Sequence, residues 1–583
     1  MKTFDSYLMH ITPLSPVHIG TGESFEPTNY VIDDGILYEF DTGGTIAALT
    51  ATERKELLAI ANLRPDAGMI LALQRFFYER RETLMAHAVQ QVPVLPGVAA
   101  LYDSRIGQTA NIEADGKKVL NRLEIDRTSF NPVTRQPVLY GSSLKGAIRT
   151  ALLDKINGGA SLQKVEDRHT GKRRDENNQE LQNRLFQYRP GKFERDPMRL
   201  VRLADATWRG EPGLPATQVH LAVNRKKAPV VDEKGGLRKS MAESKELYQI
   251  LECVSGWHYR AFAGQLNLQS VSGLAETHAA KLPAAHLRFD ARQIAQACNR
   301  FYRPILNAEN QLLRGRGYLD PDWDKAVSAL LAQADDKMRR GDAFLLRVGR
   351  HSGAESVTLN GAREGHIKIL LDKDPETKKQ RFAYESEARS LWLAANDKDQ
   401  MTGLLPFGWL LVELQPMGAS DIDWPELKAA CEPHLSAARA FRDKLAAQQT
   451  RLEQAKAEAE AKCREEEEQA RRAAEAEAQR QREEAERQAR LAALSENMRR
   501  IEAFKDEFKA RMEQLRGSKD RPNTLYHDKA RRLARDALEG ADWSAEEKRA
   551  AAEAIAEWLP RVVAVEMKEE RKKLKLSVLR AES

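Results

Sequence analysis

YGSSLKGAIRT, Tyr140–Thr150, follows the strand-like run RQPVLY and leads into ALLDKI, so the chain passes from an extended segment through a turn into a helix. Glycine at 141 permits a tight turn, and Ser142 or Ser143 can cap a helix that opens there. A helix start presents unpaired N–H groups and the positive end of its dipole, which suits a phosphate. Lys145 and Arg149 lie four apart and share one helical face beside that start, while Gly146 leaves room for a close backbone approach. An ordinary capped helix with two surface cations fits the same residues.

Strand-like and helix-like runs alternate on both sides of this stretch. SYLMHITPL at 6–14 and GILYEF at 35–40 read as strands before it, and AGMILALQRFFYERRETL reads as a helix by its three-to-four apolar spacing. Beyond residue 210, QVHLAV, YRAFAGQLNLQ, AFLLRVG and GWLLVELQP read as strands, with ARQIAQACNRFYRPIL and DWDKAVSALLAQADDKMRR as helices between them. Such alternation in both halves predicts an α+β protein with one unit over 1–210 and another over 211–417. Residues 418–583 predict a helical extension. Glu467–Arg471, Glu468–Arg472, Glu483–Arg487 and Glu486–Arg490 support a solvated helix over 451–490. From Leu491 to Leu515 an apolar seam able to pack on a partner helix takes over, and Gly517 and Pro522 stop it. Ser544 and Glu547 form a capping-box pattern for a later helix, and the basic MKEERKKLKLSVLR closes the sequence.

The chain has 583 residues, 42% hydrophobic and 31% charged, with a formal net charge of +6. That charge is mild, so nucleic-acid binding must come from local patches. No long uncharged apolar run occurs, and Met1–Asp5 lacks the layout of a signal peptide, so a cytoplasmic protein without membrane contact is expected. Cys253, Cys298, Cys431 and Cys463 show no metal-ligand spacing, so neither a disulfide framework, a metal nor a cofactor is expected.

Further segments bear on chemistry. Leu14-Ser15-Pro16-Val17-His18-Ile19-Gly20-Thr21-Gly22 puts a flexible glycine loop after the first strand, where His18 could touch RNA, act as acid or base, or simply pack. Arg347-Val348-Gly349-Arg350-His351-Ser352-Gly353 echoes that loop in the second half, and Leu405-Pro406-Phe407-Gly408-Trp409 leads into the last strand, with Trp409 read as core. Lys164, Arg168, His169, Lys172, Arg173 and Arg174 form a basic stretch, as do Arg225, Lys226 and Lys227, then Lys234, Arg238 and Lys239. Loops of this kind clamp a nucleic-acid backbone or insert between nucleotides, and equally serve as solvated linkers. Asp33-Asp34-Gly35 reads as a hairpin turn.

LSPVHIGTG, GSSLKGAIRTAL, RLADA at 202–206, RVGRHSG and LPFGW, in that order, resemble the RAMP superfamily of CRISPR-associated proteins, closest to the fifth Csm subunit of type III-A effector complexes. The resemblance covers residues 1 to 417 and departs at Tyr140, where the family usually has proline. It implies two tandem ferredoxin-like, RRM-type modules, with the helical extension outside the family pattern. It also implies a non-catalytic subunit that caps the 3′ part of a CRISPR RNA and assists its maturation in antiviral defence. The implied partners are CRISPR RNA, other Csm subunits and, through the complex, target RNA, with recruitment of a host nuclease left open. His18, Gly20, Gly22, Ser142, Ser143, Lys145, Arg149, Arg347, Arg350 and His351 become RNA-facing candidates. The rival is a RAMP endoribonuclease, with His18 as general base or Asp33 or Asp34 cutting target RNA. A third reading is an assembly protein that meets RNA only through its helical arm.

Overall fold

The computed structural model describes residues 3–106, 123–167, 170–189, 191–232, 234–240, 243, 247–271, 278, 281–371, 373–420 and 423–581. Arg168 and His169 of the first basic stretch lie outside them. The protein is α+β, with two large sheets and a long helical C-terminal region.

The first strand, Phe4–Pro13, lies between Phe262–Gln269 and Trp409–Pro416, antiparallel to both. Val201–Leu203 and Ala206–Trp208 pair with the far side of Phe262–Gln269, and Ala343–Arg347 edges Trp409–Pro416. Helix Gly141–Asn157 connects the first strand to the Val201–Trp208 segment, and helix Ala291–Gly315 lies between Phe262–Gln269 and Trp409–Pro416. This is a β-α-β-β-α-β order, with the last and first strands adjacent and the third beside the first, drawn out over most of residues 4–416. Helix Ala291–Gly315 starts at a capping box of Asp290 and Gln293 and buries Ile294, Cys298, Phe301, Tyr302 and Ile305 at helical spacing. The Tyr302 hydroxyl donates to the Ala147 carbonyl at 3.0 Å and ties the two helices together.

The second sheet runs Leu405–Pro406, Ser390–Ala395, Thr217–Lys226, Tyr248–Val254, Ile125–Thr128, Gly20–Phe25. Both sheets therefore take strands from either side of residue 210, and one compact unit extends over Met1–Arg464. The boundary expected at 210/211 falls inside both sheets. Local patterning marks where strands are, but pairing between distant strands is set by packing that no window of sequence contains.

Arg127 links the second sheet to the small sheet of Tyr30–Asp33, Ile36–Glu39 and Gln90–Pro93. Its guanidinium meets Glu39 at 2.7 Å and lies between the rings of Phe25 and Phe130. Glu252, beside it, is wholly buried and accepts from the Thr217 hydroxyl at 2.9 Å and the Thr128 N–H at 3.2 Å. Burial outweighs these bonds and Arg127 and pushes the Glu252 carboxyl up to about 7. A carboxyl raised on folding contributes stability in full below its unfolded pKa of about 4.5, and that contribution is lost as pH climbs through about 7. Urea unfolding at about pH 5 and about pH 8 should show the wild type weaker at the higher pH and Glu252→Gln with that difference reduced. An unchanged pH dependence in the variant would contradict this.

Helix Ser436–Ala493 starts ahead of the solvated stretch expected over 451–490, and its first part is packed. Phe441, Leu445 and Leu452 pack into a core with Val31, Tyr38, Phe40, Leu49, Phe76 and Phe77. Trp424, Leu427 and Cys431, just upstream, belong to the main core. Residues 418–464 therefore complete the first unit.

The second unit, Glu465–Ser583, has its own core. The seam expected to meet a partner helix buries Ile501, Phe504 and Phe508 against residues of the chain's own helices Leu525–Glu539 and Ala545–Val562. The capping box at Ser544 and Glu547 forms, and the seam helix ends at Leu515 with Arg516 and Gly517 at positive φ.

Candidate nucleic-acid interface

Three motifs far apart in sequence meet at one backbone junction. The Leu14 N–H donates to the Trp409 carbonyl at 2.9 Å, the Gly408 N–H to the Pro16 carbonyl at 2.9 Å, and the Arg350 N–H to the His18 carbonyl at 2.8 Å. Val348 N–H donates to the Gly408 carbonyl, and Trp409 N–H to the Ser15 hydroxyl. Gly349 and Gly408 make this possible. Each has positive φ, and a Cβ on either would lie 2.3 Å from a carbonyl oxygen, that of His18 or of Val348.

The junction decides which candidate side chains reach solvent. His18 is fully buried, its Nδ1–H donating to the Glu252 carbonyl at 2.7 Å. Its Nε2 is enclosed with no hydrogen-bond partner among the described residues, and burial holds the ring below its usual pKa, the Glu252 bond opposing and Arg350 adding to the effect. Arg347 is likewise enclosed. It pairs with Glu309 at 2.8 Å, donates to the Phe407 carbonyl and lies over the Trp409 ring, whose Nε1–H also reaches Glu309. These two side chains support the loops from within, and Trp409 is core.

The outer side of the junction carries Gly20, Thr21 and Gly22 on the edge strand, with Arg350 and His351 nearby in space. Arg350 remains partly exposed and pairs with Asp126 at 2.5 Å. His351, at positive φ, stacks on Trp392 and donates from Nε2 to Gln249. Burial, helped by Arg350 and His18, holds it down to about 3, so the ring is neutral. Asp126, Gln249 and Trp392 escaped sequence reading, because only strand pairing brings them beside the loop.

The Tyr140–Thr150 stretch forms the start of helix Gly141–Asn157, but neither serine caps it. Tyr140 is the N-cap residue with no side-chain bond, and Asp205 of RLADA accepts the Gly141 N–H at 2.7 Å. Gly141 serves close packing, since a Cβ there would lie 2.7 Å from the Leu203 carbonyl oxygen. Ser142 is exposed and Ser143 and Lys145 are half-buried. Burial depresses the Lys145 pKa, Asp196 opposes, and Arg149 and Arg202 depress it further, so three cations converge here. Arg149 is held by Asp196 at 3.1 Å, Gln182 at 3.0 Å and the Tyr188 hydroxyl at 3.0 Å, which makes it a fixed part of the cluster. Arg202, exposed and part of RLADA, is the cation that the sequence reading left out of the site. Among the described residues, a Cβ at Gly146 or at Gly22 would meet nothing within 4 Å.

Residues 10–266 match the family model of the RAMP superfamily. Over this range the chain is similar to the RAMP superfamily. No curated protein matches the chain. It is similar at 16% identity, with a TM-score of 0.38, to a chain in a cryo-EM structure of a Csm–crRNA–target RNA ternary complex of a type III-A CRISPR-Cas system, over 71% of this chain and 100% of that one. It is similar at 15% identity, with a TM-score of 0.35, to the crystal structure of T. onnurineus Csm5, over 69% of this chain and 99% of that one.

The remaining candidates are largely committed internally. Arg225 is buried and donates to the carbonyls of Asn224, Lys398 and Gln400, and Lys227 pairs with Glu355. Lys164 pairs with Asp175, and Arg174 with Glu180 and Asp167. Lys234, Arg238 and Lys239 stand exposed. Asp34 and Gly35 make the hairpin turn, both at positive φ. Asp33 faces Arg81 and Asp34 pairs with Lys444 at 2.8 Å. Among the described residues no group of three His, Cys, Asp or Glu is placed to hold a metal ion, and no helix is long and apolar enough to cross a membrane.

Proposed function

We propose that this RAMP protein is a non-catalytic subunit that holds the 3′ part of a CRISPR guide RNA in a type III-A (Csm) effector complex and assists its maturation in antiviral defence. We read the β-α-β-β-α-β sheet as one ferredoxin-like module and the second sheet as the counterpart of the other, sharing the chain between them. RNA would pass over Gly20–Gly22 and Arg350 and reach the helix start at Ser142–Gly146, where Lys145, Arg149 and Arg202 supply charge. Contacts of this kind go to phosphates and sugars, so binding is expected to be largely independent of sequence and sensitive to salt.

Gly146 carries this reading. Glycine inside a helix costs about 1 kcal/mol relative to alanine. Position 146 is exposed and open, so none of the described residues requires the missing side chain. A ligand backbone lying against the helix does. Support for a binding role over a catalytic one comes from His18, whose ring is sealed from solvent, and from Asp33 and Asp34, which face Arg81 and Lys444.

Replacing Gly146 with leucine should raise stability by about 0.5–1 kcal/mol in urea unfolding and weaken retention of guide RNA on co-purification. A variant that is stabilised and retains guide at the wild-type level would contradict the assignment.

A further inference from the structure

We propose that one end of the C-terminal helical unit is a second nucleic-acid surface, which takes the phosphodiester backbone of a single strand. The inference is independent of the RAMP loops and rests on how charge is distributed in Glu465–Ser583. Residues 516–524 and 567–580 hold nine Lys and Arg against three Asp and Glu, a net +6 that equals the charge of the whole chain. All three acids are already engaged. Asp520 is held by Arg511, Glu570 by His527 and Lys573, and Glu569 by Lys573. Every other cation of the two segments is exposed, and among the described residues none of them has an ion-pair partner; Arg516, Lys519 and Arg521 belong to the loop, Lys568, Arg571 and Lys572 to the terminal helices.

The two segments share one end of the unit. The Asp520 N–H donates to the Val562 carbonyl at 2.8 Å and the Ala564 N–H to the Asp520 carbonyl at 2.9 Å. His527, fully buried, accepts the Asn523 N–H at Nδ1 and meets Glu570 at 3.1 Å through Nε2, so one ring clips the loop to the terminal helix. Uncompensated like charge gathered at one place destabilises the isolated unit and is relieved by a polyanion. A docked peptide helix would need apolar anchors, and Val578 is the one large apolar side chain exposed in these segments. A phosphodiester strand needs only spaced cations.

The test uses the full chain and labelled oligouridine in fluorescence anisotropy over a salt series, with duplex DNA and polyglutamate as further arms. The variant Arg516→Glu, Lys519→Glu, Arg571→Glu, Lys572→Glu changes only exposed side chains, and circular dichroism checks that it melts as the wild type does. Its affinity for oligouridine should fall on the order of tenfold or more at about 0.1 M salt, with the salt slope reduced by about 2–3, since each lost phosphate contact on a single strand removes about 0.7. Lys145→Glu with Arg202→Glu is measured beside it, so that loss in that variant alone locates all binding in the RAMP body and overturns this proposal while leaving the guide-binding reading intact. Unchanged oligouridine affinity in the fourfold variant, or loss confined to duplex DNA or to polyglutamate, overturns it as well.

Discussion

Deleting residues 418–583 is expected to unfold the unit that extends over Met1–Arg464, whereas deleting 465–583 is expected to leave it folded. The first cut removes Trp424, Leu427, Cys431, Leu435 and Phe441, all buried, and uncovers the apolar surface they protect, including Trp257, which stacks on His434. Full burial of one large apolar side chain is worth about 1.5–3 kcal/mol. Five of them compare with the whole stability of a domain, about 5–15 kcal/mol. The longer cut also strips Lys444, Gln448 and Arg451 from Asp34, Tyr38 and Glu82. The shorter cut falls where the compact unit ends, at Arg464. Soluble yield and the cooperativity of thermal melting separate the two fragments. A 1–417 fragment that is monomeric and melts cooperatively at the midpoint of the 1–464 fragment would contradict this account of the long helix.

Gly349→Ala is expected to destabilise the chain by about 3 kcal/mol or more. The left-handed backbone at 349 costs an alanine roughly 1–2 kcal/mol, and overpacking against the His18 carbonyl adds about 1–3 kcal/mol. Gly408→Ala meets the Val348 carbonyl in the same way and should behave alike. Gly22→Ala is the internal control. Its φ is also positive, yet a Cβ there meets nothing within 4 Å, so only the conformational cost of about 1–2 kcal/mol applies. Urea unfolding of the three variants should rank 349 and 408 together and well above 22. Equal costs at all three positions would mean that the junction does not hold the loops as described.

The motifs were legible in the sequence, but their division of labour was not. Glycines at 349 and 408 mark turns, whereas Gly20 and Gly22, expected in a flexible loop, lie on an edge strand, and the helix after Tyr140 announces itself by its spacing. Whether a loop residue faces out or in depends on what docks against it. His18 is enclosed because its Nδ1 meets a carbonyl more than two hundred residues away, on a strand that pairs beside Ile125–Thr128. Arg347 and Arg350 stand three apart, yet one is clamped to Glu309 and the other is partly exposed. Asp205 took the capping role that proximity gave to Ser142 and Ser143, since a side chain across a sheet leaves no local signal. Strand pairing is equally silent in sequence, since Phe4–Pro13 pairs with strands beyond residue 260 on both sides. The packed start of the long helix left little local signal. Leu445 and Leu452 are too sparse among charges to register as an apolar face, although Phe441 anchors them in the core around Tyr38 and Phe77.

The most direct test of the guide-binding reading is photocrosslinking of the guide RNA in the assembled complex, followed by identification of the linked peptides. The account predicts crosslinks within Gly20–Glu23, Ser142–Gly146 and Arg350–His351. Efficient crosslinking of guide to the neighbouring subunits, with no linked peptide from residues 1–417 of this chain, would contradict it.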